Sequence, residues 1–555
     1  MFGLFREKNN IREPKRFIKT GVRVHDQTQI EIAFDYRILF GTKEELISRK
    51  INYTVEAYFF MPLAFGMNAD TYPKESFYAD LRPLIRFKEP KMGYFQIVGL
   101  KDPEKSPIKI LQSVLNKSAK DLTEMDIKYA CDEVRIFGCV FVRYFWKRAE
   151  KYFKKIEVIF ADKSISEDER GKKLQTAAAS CRHLLVRIEF ILQEFYKIID
   201  RLDKFDNPIW KDLKREVHRI DEMVLYNQMD MLVYLLKNID ASSCKANQNI
   251  ESLKNDTQKF ARNLRSKIID VGYLYVDHES DDQEKEAYVL RRKFLKAHSW
   301  EVFHLKMRKK PVFAFQRQIG AMIAAGLAAT WAVAIQIMVI SEVTNAESIN
   351  SIFGISGAVF LSAAIGGYII KDRIKEAGRS YFRSGVFRKL SDNSESLTYE
   401  SSRILAKPIE IGNYSETTTI NTEKSLPERV QRLREVYSDL GVSDQISHKV
   451  ICYRRDVSIK DKILKANSHP LKTVHDILRF NISGFLGRLA DPTQVTSCLD
   501  ANGDLQSITL PKIYHLDVVL RHRKFEKKKV DNKEGFEYIR LYIDKNGLIK
   551  VKKLT

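Results

Sequence analysis

Two stretches near the middle of the chain constrain its fold more than any other feature. Ile319 to Ile340 reads IGAMIAAGLAATWAVAIQIMVI, and Ile349 to Ile370 reads INSIFGISGAVFLSAAIGGYII; each is 22 residues without a charge. The chain as a whole is 30% charged, so neither run follows from its composition. A helix rises about 1.5 Å per residue, which makes either run long enough for a hydrocarbon layer of about 30 Å. Only Ser341 to Ser348 separates them, room for a turn between antiparallel helices. The expectation is a transmembrane helical hairpin over 311–371, with spans at 319–340 and 349–370. A buried helical hairpin of a globular core is the alternative.

The flanking charge gives an orientation. Lys306, Arg308, Lys309 and Lys310 precede the first run, Lys371, Arg373 and Lys375 follow the second, and the turn carries Glu342 and Glu347 with no Lys or Arg. Basic short loops stay on the cytosolic side, so both long ends are expected to be cytoplasmic. The localisation that follows is integral membrane, in a bacterial inner membrane. Small residues recur every fourth position: Gly320, Ala324, Ala328 and Ala332, continued by Gln336, in the first run, and Gly354, Ala358, Ser362 and Gly366 in the second. Such rows let helix backbones approach closely, within one hairpin or between subunits of a homo-oligomer. Neither run contains Asp, Glu, Lys, Arg or His, which argues against an intramembrane proton relay.

The expected fold class is an α+β multidomain integral membrane protein. Residues 1–115 read as a mixed α/β or β-rich domain, with strand patterns in Gln29 to Phe40 and Ile51 to Phe60. Residues 116–310 read as a helical bundle or coiled-coil-like region. Leu174, Ala178, Cys181, Leu185, Ile188, Leu192, Phe195, Ile199 and Leu202 follow a 4-3 spacing, and Leu213, Val217, Ile220, Val224, Asn227, Met231 and Leu235 form a second seam. Ser166 with Glu169 forms a candidate capping box. Residues 372–424 read as a basic juxtamembrane segment and linker. Residues 425–555 read as a small α+β domain, helical near Leu426 to Leu440 and His475 to Leu489. Its strands lie at Tyr514 to Leu520 and Ile539 to Ile543, and Lys545-Asn546-Gly547-Leu548 makes a two-residue hairpin turn into Ile549 and Val551.

Chemistry is sparsely signalled. Six scattered cysteines without a C-x-x-C pair read as reduced thiols. No Walker loop, dinucleotide fingerprint, H-E-x-x-H or G-x-S-x-G is present. His475-Asp476, with His448 or His469 upstream and Asp491 or Asp500 downstream, loosely resembles the ligand set of HD-type metal phosphohydrolases. The net charge of +22 is partly explained by the segments around the two runs. The basic stretch Arg521 to Lys533 reads as a solvated hairpin loop, with contacts to anionic lipid headgroups as the functional alternative, and it lacks the aromatic platform of a nucleic-acid site. No cofactor is implied. The expected partners are the lipid bilayer and further copies of the chain. The expected function is a two-pass membrane scaffold, sensor or effector without catalysis, with a gated pore or a membrane-tethered phosphohydrolase as alternatives.

Overall fold

The computed structural model describes residues 18–37, 50–67, 71–118, 121–162, 164, 166–241, 248–309, 314–344, 355–381, 391–400, 409–421, 425–438, 449–460, 473–525 and 533–554. Strands β1 (Ile18–Val24), β2 (Gln29–Arg37) and β3 (Lys50–Phe60) lead to α1 (Lys74–Asp80), β4 (Leu81–Phe87) and α2 (Tyr94–Val98). Six helices follow: α3 (Pro107–Leu115), α4 (Glu124–Ala161), α5 (Glu167–Asp203), α6 (Lys211–Ala241), α7 (Gln248–Asp270) and α8 (Asp282–Trp300). A short strand β5 (Lys306–Lys309) precedes the pair α9 (Ala314–Thr344) and α10 (Ile355–Tyr381). Then come β6 (Asn393–Tyr399), β7 (Ile409–Asn421), α11 (Glu428–Ser438), β8 (Val450–Lys460), β9 (Thr473–Asn481) and the one-turn α12 (Ser483–Leu486). The chain closes with β10 (Thr493–Leu499), β11 (Leu505–Pro511), β12 (Tyr514–Phe525), β13 (Lys533–Asp544) and β14 (Gly547–Lys553).

Two large sheets share one core. One has the order β1-β2-β9-β4 and the other β14-β13-β12-β3-β8-β7-β6-β5. The alternation of the strands decides which faces meet: Ile30, Ile32, Phe34 and Tyr36 of β2 point inward, as do Tyr53, Val55, Ala57 and Phe59 of β3. Across the gap, the rings of Tyr36 and Tyr53 stack at 3.7 Å, Phe59 meets Phe480 at 4.9 Å and Phe87 meets Tyr399 at 5.4 Å. Both seams between the sheets are tied by backbone bonds. Leu305 N–H donates to Ile85 O (3.0 Å) at one edge and Leu548 N–H to Gln27 O (2.7 Å) at the other. Helix α11 covers the outer face of β3, β12 and β13, where Leu426 and Val430 bury Tyr58, Phe60, Val519 and Tyr538.

The expected domains 1–115 and 425–555 are therefore interleaved, since β3 lies between β12 and β8, and β9 between β2 and β4. The expected linker contains β6 and β7, both in the larger sheet. His475 to Leu489, expected as helix, keeps only the one-turn α12 helical and is strand β9 as far as Asn481. Its Val474, Leu478 and Phe480 alternate inward, and the buried face of a sheet outweighs a weak helical spacing.

Helices α3 to α8 pack into a bundle continuous with the sheet core. The α5 seam is fully buried, but Ala177, Leu184, Ile191 and Ile198 are buried beside it. Three apolar positions per heptad make a stripe that faces several neighbours, whereas a two-stranded seam uses two. The coiled-coil expectation is corrected to a globular bundle. Of the expected capping box, the Ser166 half forms, its hydroxyl accepting from Glu169 N–H. Asn227 donates to the Met223 carbonyl of its own helix (2.8 Å).

The membrane expectation is corrected as well. Among the described residues, no helix is long and apolar enough to cross a membrane. Helices α9 and α10 do form an antiparallel pair, but its register staggers the two uncharged runs. A Cβ on Gly378 would lie 2.8 Å from that of Ala324, and one on Gly367 would meet Ile335, so both helices advance by 11 residues between these contacts. That register sets Lys371, Asp372, Arg373, Lys375 and Glu376 beside the middle of the first run rather than beyond its end. The integral-membrane fold class, the inner-membrane localisation and the two-pass scaffold and pore readings fall with the matched spans. The outer side of α9 exposes Met322, Ile323, Leu327, Trp331 and Ile337.

Candidate functional site

The residues singled out from the sequence occupy two places. In α9, Ala324 and Ala328 are buried against α10, Ala332 is half-buried and Gln336 is exposed. Gly320 lies in α9, while Ala358 lies in α10. Ser362 is exposed, and a Cβ on Gly366 would meet nothing within 4 Å; Gly367 and Gly378 are the α10 positions in close contact. Gly354 and Lys310 lie outside the described residues. Lys306, Arg308 and Lys309 form the edge strand β5, where Lys306 pairs with Glu400 at 2.6 Å. Basic side chains on an edge strand deter further pairing. Lys371 sits 3.7 Å from the centre of the Tyr368 ring, Arg373 lies 3.3 Å from Glu376, and Lys375 is half-buried.

The metal reading does not survive the fold. His475 and Asp476 are neighbours on a strand, so their side chains leave opposite faces. His475 Nδ1 lies 2.6 Å from Asp35, which also receives Lys88 at 2.5 Å. These bonds hold the Asp35 carboxyl low, at about 2, although burial alone would raise it. Asp476 points into the core. Asp491 pairs with Lys545 (2.7 Å), and Asp500 closes the β10–β11 turn. His448 and His469 lie outside the described residues, and no group of three or more potential metal ligands occurs among the described ones. In the basic stretch, Arg521 and Arg523 are held by Glu56 and Glu534.

A different constellation lies on the bundle. Arg215, His218, Arg219 and Glu222 are spaced i, i+3, i+4 and i+7, which puts them on one side of α6. Ala287 and Arg291, spaced i and i+4, face them from α8. The floor comes from the turn after α7, where Gly272 adopts φ +80°. Its N–H donates to Ile269 O (2.9 Å) and that of Tyr273 to Ile268 O (3.0 Å). This left-handed glycine cap reverses the chain and carries Tyr273 back to α6, where its hydroxyl donates to Asp221 and to His218 O, both at 3.1 Å. The result is an open groove of about 710 Å³ lined by Arg215, His218, Arg219, Glu222, Gly272, Tyr273, Leu274, Ala287 and Arg291.

Its electrostatics favour an anion. Glu222, the one carboxylate in the lining, is buried and already bound: Arg291 reaches it at 2.5 Å and Tyr226 donates to it at 3.1 Å. Arg215 and Arg219 lie 3.7 Å from Asp212 and Glu216, longer than a close ion pair, and Arg219 also sits 5.6 Å from the centre of the Phe294 ring. Glu216 is satisfied elsewhere, by Arg135 (2.7 Å) and His298 (2.8 Å), which hold it below the usual carboxylate range against the pull of burial. Beneath the groove, burial pushes Asp221 up to about 6 despite its bond from Tyr273 and the nearby Lys267 charge. The α6 seam was legible from its apolar residues; the basic row on the helix's other side is the signal that would have located the groove.

Comparison with protein-family models, with curated proteins and with solved structures finds no match for this chain.

Proposed function

We propose that this protein is a binding protein whose helical bundle takes up a small polyanion, of the phosphate-bearing kind, in the groove between α6 and α8. The observation that carries the reading is the pair Arg215 and Arg219, set in a groove whose only carboxylate already has its own arginine. Guanidinium groups bind oxyanions through paired, charge-assisted hydrogen bonds. A volume of about 710 Å³ suits a ligand larger than a single inorganic ion. The apolar surface of Leu274 on the floor and Ala287 on the α8 wall would orient the rest of such a molecule.

Isothermal titration of the full chain with inorganic pyrophosphate tests the reading. Binding is expected, and Arg215→Ala or Arg219→Ala should each weaken it by about tenfold, as loss of one charge-assisted bond implies. Absence of binding, or binding indifferent to both substitutions, would contradict it.

A further inference from the structure

Strands β10 and β11 form a ribbon that pairs with no other strand among the described residues. A two-stranded ribbon is marginal in water unless something covers it, and this one is bare: Val495 and Leu499 are 67% exposed and Leu505 77%. Its strands, TQVTSCL and LQSITLP, contain no charge in a chain of +22. Natural edge strands are usually guarded by charged side chains; these are not. The charges sit at the two ends instead, Asp500 and Asp504 at the tip and Lys512 at the base, where the neighbouring Asp491 is paired with Lys545 at 2.7 Å.

The ladder shows which edge is available. Lys512 N–H donates to Pro492 O (2.8 Å) and Asp500 N–H to Asp504 O (3.0 Å), so the even-numbered backbone groups are consumed within the ribbon. The N–H groups of Leu505, Ser507 and Thr509 therefore point out from the free side of β11, while Pro511 offers only its carbonyl there. We propose that this edge is a self-association surface, on which β11 pairs antiparallel with β11 of a second copy of the chain about a two-fold axis at Ile508. Ser507 then bonds Thr509 of the second copy and Thr509 its Ser507. Leu505 N–H meets the second copy's Pro511 carbonyl. In that register Asp504 lies directly opposite Lys512 of the second copy, and the match occurs twice. The same pairing along β10 would bring Asp500 against Pro492 and match no charge. Two strongly positive chains repel over most of their surfaces, and an edge free of charge along its length, with Asp504 at one end and Lys512 at the other, is where a copy fits. A closed two-fold contact of this kind is self-complementary, and its small area makes it reversible.

Sedimentation equilibrium of the full chain across about 1–100 µM, the range of weak contacts, tests the proposal. The wild type should show a concentration-dependent dimer. Asp504→Lys and Lys512→Asp, each of which sets like charges opposite one another, should weaken it by about tenfold or more. Combining the two should restore it. Ser507→Pro removes an outward N–H without breaking the ribbon's own ladder and should abolish the dimer. A wild type that stays monomeric throughout, or variants that associate like the wild type, would overturn the proposal.

Discussion

Single buried charges decide much of the chemistry. Arg455 of β8 is wholly buried, bonds Asp476 of β9 at 2.8 Å and lies 4.4 Å from the centre of the Tyr414 ring; Glu416 is 3.7 Å away. It thus joins the two sheets through their core, and burial raises the carboxyls of both Asp476 and Glu416. Removing one member of a buried pair costs about 3–5 kcal/mol, because the other is left uncompensated. Arg455→Met should destabilise the protein by that amount in urea unfolding, and Arg455→Met/Asp476→Leu should recover a large part of it. In the sequence, the dipeptide His475-Asp476 reads as a metal candidate because adjacency resembles shared chemistry. On a strand it means the reverse, with one residue on the outer face and the other in the core. Asp221 carries a pH signature. Its proton is held to about 6 in the folded chain against 3.8 when unfolded, so the stability it contributes is present below 3.8 and is lost as pH rises through 6. Asp221→Asn removes that dependence. The variant should match or exceed the wild type in melting temperature at pH 7.5 and lose about two thirds of that advantage by pH 4.5, with an underlying span of about 3 kcal/mol at most.

Elements were legible where their period was local and their length great. The 4-3 spacing from Leu174 to Leu202 defines one face of α5, and the neighbouring row at Ala177, Leu184, Ile191 and Ile198 shows why that face belongs to a bundle. Strands β12 and β13 and the turn into β14 were equally plain. Strands β6 and β7 were not, because their Ser, Thr, Asn and Glu content resembles a linker, while burial of Leu397, Tyr399, Ile411 and Tyr414 makes them core strands. Gly412 marks where they fit tightly. It faces Leu397 beside the register shift between Leu397 and Thr398, and a Cβ there would collide with the backbone of Ser458. Backbone cannot yield as a side-chain tip can, so Gly412→Ala should lower stability by about 1–3 kcal/mol, read as a lower urea midpoint with an unchanged slope.

At the scale of the whole molecule, the pairings that build the sheets join residues some four hundred positions apart, as Tyr53 with Val457 and Phe34 with Asp476. No local pattern encodes such partners, so the strands of 1–115 and 425–555 looked like two domains. The uncharged runs were conspicuous for the opposite reason, being local, yet what decided their role was the stagger between α9 and α10, which only the packing of Gly367 and Gly378 reveals. The groove likewise depends on assembly: α6 supplies its basic row, the Gly272 turn its floor and α8 its opposite wall. Crystals of the full chain soaked in tungstate, a heavy oxyanion with phosphate geometry, test this most directly. An anomalous peak within hydrogen-bonding distance of Arg215 and Arg219 is the result expected, and tungstate bound elsewhere with that groove empty would contradict the assignment.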